Sequence, residues 1–390
     1  MTIMTIYFCG TGSTKYDDTN HNYWNGELIS SLAEHQDGKE FAEWNIVDGP
    51  GSGNLQIDQL WVESTIHPDF MGKAFGKGWK ENVDHVLHIL NGKFEKNQLP
   101  LTQIQCTKLI EAGVPVTPRN NSFLFWRYSC GKSPVTPWEL QKKIIEIHRK
   151  KYGSVTQVNL VGWSRGGISC HMLANAMLQD EVLKNIPVNI FAVDPVPGPL
   201  QFPSVITTLG NNVKEYVAFY AINERSRYFS CEIPKTDKST RVHIFPMPGR
   251  HATLVGNGFE DGEGRDQKAK KDRLKEPGCL VRHFAEICLA RWGVKFKAGK
   301  TLALSNEKIK SYHQAMEKDR QIYQKMQLKH YVTNWLPKVG GTSEKNGERY
   351  VSNGDDWAVF SSIHGDQFSP KKGLVANYLQ DPSIYDVLKK

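Results

Sequence analysis

Short apolar runs alternate with stretches of helical spacing along the first two thirds of the chain. The runs are rich in β-branched and aromatic residues, as buried β-strands are. They occupy residues 3–9, 158–161, 188–193, 216–222 and 242–247. Across residues 71–90, 136–152 and 168–177, apolar side chains recur every three or four positions, which predicts amphipathic helices. Strands that alternate with helices predict an α/β fold, a mainly parallel sheet with helices on both faces.

The pattern changes near residue 260. Residues 261–277 are charged and contain glycine, which predicts an exposed loop, whereas residues 280–292 and 305–335 have helical spacing. We therefore predict an α/β core over residues 1–260. Residues 261–390 are predicted to form a peripheral helical and irregular layer that packs on this core.

The composition is that of an ordinary globular protein, with 39% hydrophobic and 23% charged residues among 390. The sequence contains no run of about 18 apolar residues, so no membrane-spanning helix is predicted. The apolar N-terminal segment lacks the basic region of a signal peptide, and we interpret it as a first strand. We therefore expect a cytoplasmic protein in the producing cell, and its export into a target cell would require a route without such a signal.

The chain carries a modest formal net charge of +8 at pH 7, with basic residues clustered at 268–275. A solvated surface accounts for this charge, and peripheral contact with an anionic membrane is the alternative. No zinc-finger spacing or RNA-binding motif is present, so nucleic-acid binding is not expected. The seven cysteines are scattered without a C-x-x-C pair, which favours reduced thiols. We predict no metal site and no cofactor.

A serine between glycines is the clearest candidate for chemistry. Gly162, Ser164 and Gly166 match the G-x-S-x-G nucleophile elbow, with an apolar strand before them and helical spacing after them. Small residues are needed in so tight a turn, and a helix N-terminus favours the negative charge that develops near the serine. A plain glycine-rich turn between strand and helix is the alternative interpretation.

Ser164 needs a base, because a serine hydroxyl is a poor nucleophile until an imidazole takes its proton. In this kind of site the chain order is serine, acid, histidine. His251 follows the run 242–247 and is the predicted base, and Asp194 follows the run 188–193 and is the predicted acid. The alternatives are His364 as the base, and Glu224, which ends the next strand, or Asp366 as the acid.

The oxyanion hole of such a site needs backbone N–H donors. The residue after the nucleophile, Arg165, is the predicted first donor. The second is expected from an early loop, and Gly10 and Thr11 follow the first strand, where glycine lets the backbone approach a substrate closely.

Seven segments resemble, in the same order, motifs of one family, the α/β-hydrolase domain family that includes the bacterial type VI secretion phospholipase effectors. The similarity covers residues 3–260. The segments are Phe8–Ser13 (family F-D-G-T-G-N), Asp48–Gly53 (P-G-V-G-T-G), Gly72–Val83 (G-x-A-F-G-x-G with N-V), Gly162–Gly167 (G-F-S-R-G-A), Asp194–Val196 (W-D-T-V), Ala221–Phe229 (A-L-D-E-R-R-x-x-F) and Phe245–His251 (F-P-G-x-H).

The chain also departs from the family in three places. Cys9 replaces the aspartate of the first motif, and Asn223 replaces the aspartate beside Glu224. Residues 93–150 hold several prolines and aromatic residues and are interpreted as an insertion that forms a lid or a pocket wall. The insertion leaves the class of substrate open.

The resemblance implies Ser164 and His251 as catalytic residues and Asp194 as the acid. It implies a serine hydrolase that cleaves carboxylic esters through an acyl-enzyme, as a lipase or phospholipase A acting on membrane lipids and as a secreted bacterial effector. A cognate inhibitor or a chaperone protein would then be a partner. The alternatives are the same triad acting on a thioester, small ester or peptide, and an inactive module that binds a membrane or a partner.

Overall fold

The structure is a computed structural model, and it describes residues 2–52, 79–92, 117–119, 127–129, 137–198, 204–226, 228–262, 264, 268–327, 344–345, 348–353, 356–359 and 382–390. The alternative base His364 and the alternative acid Asp366 lie outside these residues. So do most of the predicted insertion at 93–150 and the first part of the helix predicted at 71–90.

The strands are β1 Ile3–Phe8, β2 Trp44–Val47, β3 Thr117–Arg119, β4 Arg127–Ser129, β5 Gln157–Trp163, β6 Val188–Val193, β7 Thr208–Leu209, β8 Val213–Ala221, β9 Cys231–Ile233, β10 Lys235–Thr236, β11 Arg241–Met247, β12 Glu344–Lys345, β13 Glu348–Asn353 and β14 Asp356–Val359. The α-helices are α1 Leu28–His35, α2 Trp79–Asn91, α3 Pro137–Tyr152, α4 Arg165–Gln179, α5 Ser204–Thr207, α6 Glu276–Arg291, α7 Asn306–Lys318 and α8 Arg320–Met326. Short 3₁₀-helices span Lys15–Thr19, His251–Val255 and Pro382–Lys389.

The main sheet has six strands in the order β11-β8-β6-β5-β1-β2, and each neighbouring pair is parallel. Its central strands are buried along almost their whole length, because both faces are covered. The pleat sends alternate side chains to opposite faces. In β1, for example, Tyr7 belongs to one apolar cluster, and Ile6 and Phe8 belong to the other.

Helices cover both faces of this sheet. On one face, α1 and α6 contribute Leu32 and Phe284 to the cluster that contains Tyr7. On the other, α2 and α4 contribute Val86 and Leu173. These layers confirm the predicted α/β fold with a mainly parallel sheet and helices on both faces.

The region after residue 260 contributes more than an outer layer. Helix α6 begins at Glu276, inside the segment expected to be an exposed loop, and most of its apolar side chains from Leu280 to Leu289 are buried in one of the two main apolar clusters. The described part of the stretch with helical spacing at 305–335 forms two helices, α7 and α8. Strand β13 pairs in parallel with β9 and antiparallel with β12 and β14, so the C-terminal segment forms a separate small sheet with the strand at Cys231–Ile233. The division at residue 260 stays a prediction.

Within the described ranges, no helix is long and apolar enough to cross a membrane.

Candidate active site

Ser164 lies at the turn between β5 and α4, at the carboxyl end of the sheet. Its φ of 58° and ψ of −126° place a non-glycine residue in a strained conformation. The turn is held by backbone hydrogen bonds, from the Ser164 N–H to the Val193 carbonyl (3.1 Å) and from the Val196 N–H to the Ser164 carbonyl (3.3 Å). The surrounding fold thus fixes the direction in which the hydroxyl leaves the backbone.

The glycines around Ser164 are required by close backbone approach. A Cβ on Gly162 would lie 2.3 Å from the carbonyl oxygen of Gly166. A Cβ on Gly166 would lie 2.1 Å from the carbonyl oxygen of Phe8, at the end of β1. Because backbone atoms cannot move aside as a flexible side chain can, each contact excludes any larger residue.

Gly166→Ala is therefore expected to destabilise the protein by about 3 kcal/mol, through overpacking against β1. Urea denaturation gives the free energy of unfolding. Gly153→Ala is a suitable control, because a Cβ there meets nothing within 4 Å and only the φ of +78° is unfavourable, at a cost of about 1 kcal/mol. Equal losses in the two variants would contradict the proposed close approach.

His251 begins the short helix that follows β11, and its ring lies against the elbow. The ring centroid is 5.1 Å from that of Trp163, the residue before Ser164, and Phe229 packs its edge on the same ring at 5.0 Å. His251 Nδ1 is 2.6 Å from Asp194 Oδ2, a distance at which the Nδ1–H donates to the carboxylate. This hydrogen bond leaves Nε2 as the ring nitrogen available to take a proton.

Asp194 directly follows β6 and is fully buried. Its φ of 43° turns the chain sharply at this point. Oδ1 accepts hydrogen bonds from the Ala221 N–H (3.1 Å) and from the Arg349 guanidinium (2.5 Å), while Oδ2 faces His251. Burial disfavours the ionised carboxylate, but the charge of Arg349 and the hydrogen bond with His251 outweigh it, so the pKa of Asp194 lies below its ordinary value.

Glu224, an alternative acid, lies close by but does not contact the His251 ring. Its carboxylate accepts hydrogen bonds from Arg250 (3.1 Å) and from the backbone N–H of Ser226 (2.6 Å) and of His251 (3.2 Å). Burial would raise the pKa of Glu224, but Arg250 in particular lowers it to about 2. Glu224 therefore holds the loop of His251, whereas Asp194 holds the ring.

The Arg165 side chain joins the loops around Ser164. Its Nη1 donates to Thr11 Oγ1 (3.1 Å), and its Nε donates to the carbonyl of Pro197 (3.3 Å). The loop after β1 approaches the elbow so closely that a Cβ on Gly10 would lie 2.3 Å from the Trp163 ring. Gly10, Thr11 and Arg165, the predicted oxyanion-hole residues, are therefore neighbours, and their role in catalysis stays a prediction.

Within the described part of the chain, the Ser164 hydroxyl makes no hydrogen bond. Catalytic hydrogen bonds are often absent or long without substrate and tighten when it binds. No cluster of three side chains suited to a metal ion occurs among the described residues either. An imidazole that is oriented by a buried carboxylate and lies beside a serine-bearing turn is an arrangement suited to general-base chemistry on a hydroxyl.

Two contacts at the site were not predicted from the sequence. The Arg165 side chain and Arg349 both reach the site, although only the backbone of Arg165 was assigned a role. Arg349 lies 155 residues after Asp194, and the Glu348–Asn353 segment gives no local indication that an ion pair forms with it.

No protein-family model matches this chain, and no curated protein matches it. Among solved structures, an uncharacterized protein from Pseudomonas aeruginosa is similar at 16% identity and a TM-score of 0.43, over 83% of this chain and 50% of that one. The chain thus spans about half the length of that protein. The Tle1 effector bound to the VgrG spike of a type 6 secretion system is similar at 11% identity and a TM-score of 0.42, over 85% of this chain and 84% of that one. Neither similarity is high enough to assign an activity.

Proposed function

We propose that the chain is a serine hydrolase that cleaves carboxylic esters through an acyl-enzyme on Ser164. The observation that carries the proposal is the 2.6 Å hydrogen bond between His251 and buried Asp194, with the imidazole packed against the strained turn that holds Ser164. A strained serine at a strand-to-helix turn, an imidazole beside it and an ionised carboxylate behind the imidazole are the three groups that activate a hydroxyl nucleophile.

In the proposed reaction, His251 Nε2 takes the proton of Ser164 as Oγ attacks the ester carbonyl carbon. The negative charge that develops on the carbonyl oxygen is stabilised by the N–H of Arg165 and by N–H groups of the loop at Gly10 and Thr11. The imidazolium then protonates the departing alcohol. Water, deprotonated by His251, attacks the acyl-enzyme and releases the carboxylic acid.

We further propose a lipid ester as the substrate, with phospholipase A activity as the specific form. Support comes from the seven ordered motifs that resemble the phospholipase effector family. The same resemblance supports an exported bacterial effector with a cognate inhibitor or chaperone. The exposed side chains of Lys268, Lys270 and Lys271 give a surface that would attract an anionic membrane. Arg273, in the same basic segment, forms an ion pair with Asp319 at 2.5 Å.

The test is to incubate the purified chain with a fluorophosphonate probe and, in parallel, with phosphatidylglycerol vesicles, phosphatidylcholine vesicles and p-nitrophenyl butyrate. We expect one probe molecule on Ser164 and the release of fatty acid from the vesicles, with faster release from the anionic ones. Hydrolysis of the short ester alone would favour a small-ester substrate. No labelling and no hydrolysis would reject the enzyme and leave a membrane- or partner-binding module.

A further inference from the structure

Arg349 lies in β13, far from the elbow in the sequence, yet its guanidinium lies directly behind the predicted acid. It is fully buried, as is Asp194. Nη1 donates to Asp194 Oδ1 and to the Ala221 carbonyl (2.7 Å), and Nη2 donates to the Phe229 carbonyl (2.5 Å). The two backbone bonds fix the plane of the guanidinium, so its position relative to Asp194 does not depend on the carboxylate alone.

The two oxygens of Asp194 therefore have separate partners. Oδ1 accepts from Arg349 and from the Ala221 N–H, while Oδ2, among the residues that the structure describes, accepts from His251 Nδ1 alone. A carboxylate held at one oxygen by two donors has little freedom to rotate, so the other oxygen stays directed at the imidazole. A second effect is electrostatic, because an unpaired carboxylate buried this deeply would take up a proton and could no longer stabilise an imidazolium.

We propose that Arg349 is a positioning residue of the esterase site, which keeps Asp194 ionised and aims its Oδ2 at His251. The inference rests on the proposed serine hydrolase function. It also makes the C-terminal strand β13 a necessary part of a site whose other members lie before residue 252.

The charged and titratable neighbours of Asp194 leave Arg349 as its principal counter-ion. The Cys231 thiol on β9 is buried nearby, and burial raises its pKa to about 12, so it is neutral. Glu224, beyond the end of β8, adds negative charge, but its carboxylate forms an ion pair with Arg250. The remaining group is the His251 imidazole itself. Without Arg349, the imidazole would be the one positively charged group that the described residues place against the carboxylate.

The test compares Arg349→Met and Arg349→Lys with the wild-type chain, using p-nitrophenyl butyrate from pH 4.5 to pH 9. In Arg349→Met, kcat is expected to fall about 10- to 100-fold with little change in KM. Because the pKa of Asp194 rises without the guanidinium, activity should be lost earlier as the pH falls, with the acid limb of kcat/KM about 1–3 pH units higher. Arg349→Lys keeps the charge and should keep the acid limb near its wild-type position.

Val351→Ala is the matched control, because Val351 is buried two residues further along β13, on the same face of the strand as Arg349, and packs in an apolar cluster without contributing a charge. It should lower Tm without moving the acid limb. An acid limb in Arg349→Met at the wild-type position, or one moved equally by Val351→Ala, would overturn the proposal. If Arg349→Met does not fold, Arg349→Lys provides the test. An acid limb in Arg349→Lys that is displaced as far as predicted for Arg349→Met would also overturn the proposal.

A readout without substrate separates this inference from the proposed activity. The Nδ1–H proton of a histidine bonded to an ionised carboxylate gives a low-field NMR resonance, which can be assigned here by its loss in Asp194→Asn. This resonance should persist to lower pH in the wild-type chain than in Arg349→Met. An inactive wild-type chain that shows this difference would reject the esterase and retain the role of Arg349 toward Asp194, whereas an active chain without it would reject the role of Arg349 alone.

Discussion

Ser164→Ala is expected to abolish ester hydrolysis and fluorophosphonate labelling without unfolding the protein. Loss of the nucleophile in a serine hydrolase lowers kcat by roughly 10⁴- to 10⁶-fold, because the oriented imidazole then has no hydroxyl to activate. Stability should change little. The Ser164 hydroxyl makes no hydrogen bond within the described residues, and alanine carries the same backbone strain at a φ of 58°.

The measurements are initial rates on phospholipid vesicles, probe labelling, and Tm from the same preparation. Ser169→Ala is a matched control five residues further along, in helix α4. Its hydroxyl accepts a hydrogen bond from Trp79 Nε1 at 2.6 Å and has no place in the proposed reaction. This variant should lose about 1 kcal/mol of stability and keep its activity. Residual wild-type rates in Ser164→Ala would reject Ser164 as the nucleophile.

Five of the six strands of the main sheet could be predicted, because they are apolar runs buried in the sheet, whereas the short edge strand β2 is not among the predicted strands. Such strands are continuous apolar runs, and the runs at 188–193 and 242–247 agree with β6 and β11 to within one residue. The order of the strands could not be predicted. The order depends on which strands pair with each other in the folded chain, and the local sequence of each apolar run does not indicate its partner.

The local part of the site could also be predicted. The elbow is formed by residues close together in the sequence. Gly162 approaches the backbone of Gly166, and Gly166 approaches the backbone at the end of β1. The positions of Asp194 and His251 follow from strand ends that meet at one edge of a parallel sheet. The sequence predicts Asp194 as the acid but leaves Glu224 as an alternative, because both follow strands, and only their side-chain directions in the structure distinguish them.

The contact between Arg349 and Asp194 shows why the rest could not be predicted. An arginine in a polar C-terminal segment is usually solvated, and nothing adjacent to Arg349 in the sequence indicates otherwise. Its burial arises from the parallel pairing of β13 with β9, a contact between segments more than 100 residues apart. The pairing of β13 with β9 therefore buries Arg349 beside Asp194, an arrangement that the sequence of neither strand indicates.

Arg250→Met is expected to lower the free energy of unfolding by about 3–5 kcal/mol, the cost of leaving a buried charge without its partner. Arg250 is completely buried, and its Nη2 and Nε donate to Glu224 Oε1 (3.1 Å) and Oε2 (3.3 Å). Its Nη2 also donates to the Ser226 hydroxyl. Because Glu224 Oε2 also accepts the His251 N–H (3.2 Å), loss of Arg250 should also loosen the loop that carries the proposed base.

The double variant Glu224→Gln with Arg250→Met isolates the ion pair. Removal of both charges should be less costly than the sum of the two single changes, since neither charge is then left unpaired. Urea denaturation at pH 7 measures the three differences. Additive losses would show that the two side chains act independently.

The dependence of this loss on pH gives a second, independent check on the same pair. The pKa of Glu224 is about 2 in the folded chain, below its unfolded value of about 4.3. A carboxyl group whose pKa is lower in the folded chain than in the unfolded chain contributes its full stabilisation at pH values above its unfolded pKa. This contribution disappears as the pH falls from about 4.3 toward 2. In Arg250→Met the buried carboxylate takes up a proton instead, so the stability difference from the wild-type chain should shrink over this range. A difference that stays constant from pH 7 to pH 3 would mean that the loss comes from packing rather than from charge.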